Sequence, residues 1–201
     1  MNADAVRAAF AALPPLPESD DFWSIRRAGL RKNVEREPIA GFLLWPSIVG
    51  TMFVGQREYV EPEWDALMAA DPARWTAATA VEFGGAPNIN LIHQAYHLHL
   101  WERLTGRNIA SMGSIVEIGG GYGALALVCR RAGFTGTYTI YDLPEVSILQ
   151  HFYLSQMAVA AGCVSTLDGR ASGWIGCWTN TSSTARAGRC RMTTATLRWD
   201  K

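Results

Sequence analysis

Apolar positions along the chain change their period twice, and the changes divide it into three regions. Ala3 to Leu13 reads as a short Ala-rich helix ended by Pro14-Pro15. Pro62 to Ala70 predicts another, with Pro62 in the first turn and Asp71-Pro72 closing it. The strongest helical pattern runs from Asn88 to Thr105, where Leu91, Ile92, Ala95, Leu98 and Trp101 follow a 3-4 spacing and Gly106 supplies the stop. Between them lies the longest uncharged run, Pro38 to Gly55. Pro46 and Gly41, Gly50 and Gly55 divide it, so it predicts two short buried segments joined by a turn, not a membrane span. Residues 1–113 are thus expected to form a mainly helical N-terminal region.

Residues 114–162 switch to a strand-helix-strand-helix pattern. Ser114 to Ile118 is a short apolar strand that feeds at once into a glycine-rich turn. Tyr122 to Ala132 predicts a helix with Leu125, Val128, Cys129 and Ala132 on one face, Arg130 and Arg131 in its last turn and Gly133 at its end. Thr137 to Tyr141 is β-branched and aromatic and predicts a second strand. Asp142-Leu143-Pro144-Glu145 then opens a helix running through Ile148, Leu149, Phe152, Tyr153 and Met157 to Gly162. The pattern predicts an α/β fold, the start of a Rossmann-like sheet preceded by helices.

Residues 163–201 lose this regularity. Thr, Ser, Gly and Arg dominate, no helical or strand period is sustained, and the segment reads as an aberrant or disordered tail. It holds six basic and two acidic residues against twelve and sixteen before it, so the net charge moves from −4 to +4 across Gly162. The whole chain is formally neutral and has no Lys/Arg cluster, which speaks against a nucleic-acid surface. Its N-terminus lacks the pattern of a secretory signal. The cysteines Cys129, Cys163, Cys177 and Cys190 lack zinc-type spacing and read as reduced thiols of a cytoplasmic protein.

Candidate chemistry concentrates after the first strand. Gly119-Gly120-Gly121-Tyr122-Gly123 lets the backbone approach a ligand closely, and the helix that follows aims free N–H groups at it. Asp142, at the end of the second strand, stands where an acid can accept from ribose hydroxyls. The combination points to an adenosine-type cofactor. Gly119-x-Gly121-x-x-Ala124 also satisfies the dinucleotide fingerprint, so an NAD(P)-binding oxidoreductase is a rival reading.

Glu117-x-Gly119-x-Gly121-x-Gly123 resembles the first motif of class I S-adenosylmethionine-dependent methyltransferases. Glu117-Ile-Gly-Gly-Gly-Tyr-Gly123, Asp142-Leu-Pro-Glu-Val146 and the helix Ile148 to Leu154 together resemble a family of sugar O-methyltransferases. The close resemblance covers residues 114–162, and a weaker one reaches back to Gly84-Gly85-Ala86-Pro87 and the Asn90 to Glu102 helix, which implies that the helical N-terminal region helps enclose substrate. It implies S-adenosylmethionine as cofactor, a sugar or glycoconjugate hydroxyl as acceptor, and cofactor contacts from Glu117, Gly119, Gly120, Gly121, Tyr122, Gly123, Asp142 and Leu143. Glu117 would orient the loop or the cofactor's amino group, and Asp142 would hold its ribose.

The resemblance also implies about seven strands, of which two are legible before residue 162. The chain is therefore expected to be C-terminally incomplete or shifted in frame, inactive as it stands, and prone to self-association through an open sheet edge. A third reading is a non-catalytic binding protein that borrows the rest of its sheet from a partner chain. No catalytic base is identified. His93 and His97, four apart on one helix face, have the spacing of metal ligands or of a base, but the reading taken is a polar helix face, with no metal assigned. His151 reads as a surface residue.

Overall fold

The computed structural model describes residues 1–16, 18–52, 59–80, 83–86, 88–158, 163–168 and 193–199. The protein is a mixed helix-and-strand structure in which helices precede and cover a sheet. Helix α1 (Ala3–Ala11) begins where the Asn2 side chain accepts from the Ala5 N–H at 2.9 Å. Helix α2 (Phe22–Arg36) begins where Asp21 accepts from the N–H groups of Trp23 and Ser24. Such caps satisfy amides that the first helical turn leaves without partners. The described part of the uncharged run, residues 38–52, folds as a 3₁₀ turn over Ile39–Leu44 and a short helix α3 (Pro46–Met52), burying Ile39, Phe42, Leu43, Trp45 and Ile48. No helix among the described residues is long and apolar enough to cross a membrane.

Helix α4 (Val60–Ala70) is followed directly by α5 (Pro72–Thr79). The sequence reading stops at Asp71-Pro72, yet that pair also starts a helix: Asp71 caps the Arg74 N–H at 3.1 Å and Pro72 sits where no N–H is needed. Helix α6 (Ile89–Thr105) ends at Gly106, whose φ of 66° is the left-handed conformation of a helix stop.

Strand β1 (Ser114–Ile118), helix α7 (Ala124–Arg131), strand β2 (Thr137–Asp142) and helix α8 (Pro144–Ala158) follow. The two strands pair in parallel, from Ser114 opposite Thr137 to Ile118 opposite Tyr141. Two segments of the expected irregular tail are strands instead: β3 (Cys163–Asp168) and β4 (Thr193–Trp199). They pair antiparallel, and β4 lies antiparallel against β2, giving the order β1-β2-β4-β3. The correction has a simple cause. Cross-strand partners supply the ordering that a weak local pattern does not encode. Residues 169–192, which belong to the same expectation, lie outside the described residues.

The strands alternate cleanly. Tyr138 and Ile140 of β2 are fully buried on the face they share with Ile115 and Glu117. On the opposite face Val116 and Ile118 stand 64% and 63% exposed. Among the described residues β1 has a strand on one side only.

The core is continuous across the expected boundary at residue 113. Phe42 is its aromatic centre, with the rings of Trp45, Phe83, Tyr122, Phe152 and Tyr153 all 6.1–6.3 Å away. A buried ion cluster ties α2 to α8. The Glu145 carboxylate, completely inaccessible, accepts from Arg27 Nε at 2.8 Å and from Arg31 Nε and a terminal nitrogen at 2.8 and 2.6 Å. Burial raises this carboxyl, and the two guanidinium groups outweigh it, so its pKa falls below the ordinary value.

Candidate functional site

The loop joining β1 to α7 is built at the carboxyl ends of two adjacent parallel strands. Gly119 donates its N–H to the Tyr141 carbonyl at 2.8 Å, so the loop starts only after β1 is tied to the end of β2. Gly119, Gly121 and Gly123 have φ of 73°, 57° and 96°, conformations that side chains oppose. A side chain on Gly119 would meet open space, so strain and not crowding selects glycine there. Gly120 is different: a Cβ would come within 2.7 Å of Ile140 Cγ2 and 2.8 Å of Glu117 Oε2, so its glycine is required by the packing beneath the loop. Helix α7 starts at Gly123 with no side-chain cap, leaving its first-turn amides for another acceptor.

Asp142 organises this loop from below. Its Oδ2 accepts from the Gly121 N–H and from Gln150 Nε2, both at 3.0 Å, and its Oδ1 accepts from the Leu143 N–H at 2.7 Å. Burial pushes its carboxyl up to about 6, against the pull of these three donors. Gln150, from α8, also donates to the Gly121 carbonyl at 2.6 Å and is fully buried. The sequence reading assigns this residue no site role; it enters only within the helix Ile148 to Leu154 on which the resemblance rests. The signal was available in principle: a lone amide in a helix whose neighbouring positions Leu149 and Tyr153 are apolar or aromatic requires a polar partner when buried.

Glu117 sits partly buried on the same sheet face. The Tyr138 hydroxyl donates to its Oε2 at 3.0 Å. Burial pushes its carboxyl up to about 7, with the neighbouring Asp142 charge adding to the shift. Two carboxyls with elevated pKa values therefore stand at the ends of neighbouring strands. Such perturbation accompanies functional sites more often than surfaces.

The remaining expected contacts divide. Leu143 lines a small pocket of about 40 Å³ with Trp23, Arg26 and Leu30 of α2. That volume is far below the roughly 300–1,000 Å³ of small-molecule sites, so the pocket alone holds no nucleoside. Tyr122 borders the same pocket, but its ring is buried in the core, edge-on to Tyr153 at 4.9 Å. Its hydroxyl accepts from Asn90 Nδ2 at 2.8 Å, fastening α6 to the loop. Cys129 is a free, buried thiol pushed up to about 12 by burial. His151, read from the sequence as a surface residue, is partly buried, and burial lowers its pKa.

Away from the loop, α4 and α6 bring three further groups together. Glu63 Oε1 lies 2.7 Å from His93 Nδ1, and the rings of His93 and His97 are 4.2 Å apart. Burial, then the His93 charge, lowers the pKa of His97.

No known protein family, curated protein or solved structure matches the chain.

Proposed function

We propose that this chain carries the cofactor-binding part of an S-adenosylmethionine-dependent O-methyltransferase acting on a sugar or glycoconjugate hydroxyl. One observation carries the reading. A glycine loop with three left-handed backbones leads from β1 into an uncapped helix, and an acid at the end of the adjacent parallel strand is hydrogen-bonded to that loop. Ligands of open α/β sheets bind outside the carboxyl ends of the strands. The motif resemblance supplies the identity of the cofactor.

The residues fit such a group. Gly119 faces open space, and the first-turn amides of α7 suit a carboxylate. Asp142 Oδ1 accepts only from the Leu143 N–H among the described residues, which leaves a lone pair for a ribose hydroxyl. Leu143 offers an apolar wall. When bound, S-adenosylmethionine supplies an electrophilic methyl group to an oxygen nucleophile. The contribution of the chain is alignment, because a nucleophile held close and in line has much of its entropic barrier removed beforehand. Gln150 and Glu117 support that alignment by holding the loop and the strand ends.

Calorimetric titration tests the reading. S-adenosylmethionine should bind and NAD should not, and Asp142→Ala should weaken binding by roughly 1.5–3 kcal/mol, the scale of a hydrogen bond to a charged group. Affinity should rise with pH through about 6, as Asp142 ionises and becomes a better acceptor. Binding of NAD alone would reverse the choice of cofactor, and an unchanged affinity in Asp142→Ala would remove the ribose role.

A further inference from the structure

We propose that His93 and His97, backed by Glu63, form a binding site for a divalent first-row transition cation of the zinc type. The reading is independent of the methyl-transfer proposal.

Two histidines four apart on α6 lie on one helix face, the spacing at which helical imidazoles chelate one ion. Their ring centroids are 4.2 Å apart, so the side chains turn toward each other and not into separate solvent. The sequence pattern contains this spacing but not what stands behind it. Glu63 reaches across from α4 with its side chain only 8% exposed, and its Oε1 lies 2.7 Å from His93 Nδ1. A carboxylate only accepts, so Nδ1 carries the proton and the Nε2 lone pair is left for an ion. A carboxylate holding the far nitrogen of an imidazole is the usual outer support of a metal-ligating histidine, because it fixes the tautomer and raises ligand basicity.

The second carboxylate oxygen is the independent observation. Glu63 Oε2 is buried and has no hydrogen-bond partner among the described residues. An orphaned buried acceptor costs free energy that a nearby cation, or a water held by one, would offset. His97 is exposed, which provides the entry path. Among the described residues no group of three His, Cys, Asp or Glu side chains is placed to hold an ion by itself. The site is therefore a two-histidine chelate, with water completing the coordination. Imidazole nitrogens favour zinc, copper and nickel over the hard cations magnesium and calcium.

The bland alternative is that Glu63 and His93 merely clamp α4 to α6. Titration of the full chain with zinc chloride, in a buffer that does not chelate it, separates the two. The parent should bind one equivalent saturably, and magnesium chloride should give no such isotherm. His97→Gln, an exposed change outside the core, should keep the parent's circular dichroism and melting temperature in the absence of zinc and lose the saturable binding. Glu63→Gln should keep the stoichiometry and weaken affinity about 10–100-fold, the effect of removing an outer-shell carboxylate. A parent without saturable zinc binding, or a His97→Gln protein that binds as the parent does, overturns the site. A Glu63→Gln protein with parental affinity overturns the role given to the carboxylate.

Discussion

Replacing Glu117 by Gln should stabilise the protein, and only above mildly acidic pH. The carboxyl is pushed up to about 7 from an ordinary 4.5, chiefly because the end of β1 buries it beside Asp142. Below about pH 4 it is protonated in both folded and unfolded chains and discriminates between them little. Between about 4.5 and 7 the unfolded chain gives up the proton while the folded chain keeps it, so stability falls as pH rises. Above 7 the loss is complete. At roughly 1.4 kcal/mol per unit, the gap corresponds to about 3 kcal/mol. Gln removes the titration, and its amide oxygen still accepts from the Tyr138 hydroxyl that now holds Glu117 Oε2. Urea denaturation of both proteins at intervals from pH 4 to 8.5 is the assay. The two should have nearly equal stability at the acid end, and the variant should lead by about 3 kcal/mol at pH 8. A difference that does not change with pH would show that Glu117 titrates as a solvated group and would refute the reasoning.

Other outcomes follow from single contacts. Glu145→Ala strands Arg27 and Arg31 against a buried surface and should cost about 3–5 kcal/mol in denaturant unfolding; a loss under 1 kcal/mol would mean that the cluster does not tie α2 to α8. Gly119→Ala meets open space and should cost only about 1–2 kcal/mol of backbone strain while impairing S-adenosylmethionine binding; parental affinity would show that the ligand does not pass there. With Val116 and Ile118 exposed on a strand that, among the described residues, has one open side, the chain should self-associate with rising concentration, and Val116→Lys should reduce it. Light scattering that is identical for variant and parent would exclude that strand as the contact.

What the sequence determined by itself was local. The strand at Ser114–Ile118, the helix ending at Gly106 and the left-handed loop glycines follow from short-range rules: apolar runs, glycine's tolerance of positive φ and proline's missing N–H. The positions of Glu117 and Asp142 at two strand ends were legible for the same reason. Partners distant in sequence were not. Asp142 is readable as an acid near a glycine loop, but only folding brings Gln150 to share it with Gly121. Glu145 reads as a favourable first-turn residue, whereas the fold places it against two arginines more than a hundred residues earlier. Tyr122 reads as part of a ligand loop, and tertiary packing turns its ring into the core. The strands Cys163–Asp168 and Thr193–Trp199 were illegible because a ladder is a property of two segments, and neither alone carries a strong period. Local propensity chooses the elements here. Which buried polar groups meet is decided by the tertiary structure, because no single segment contains both members of a pair.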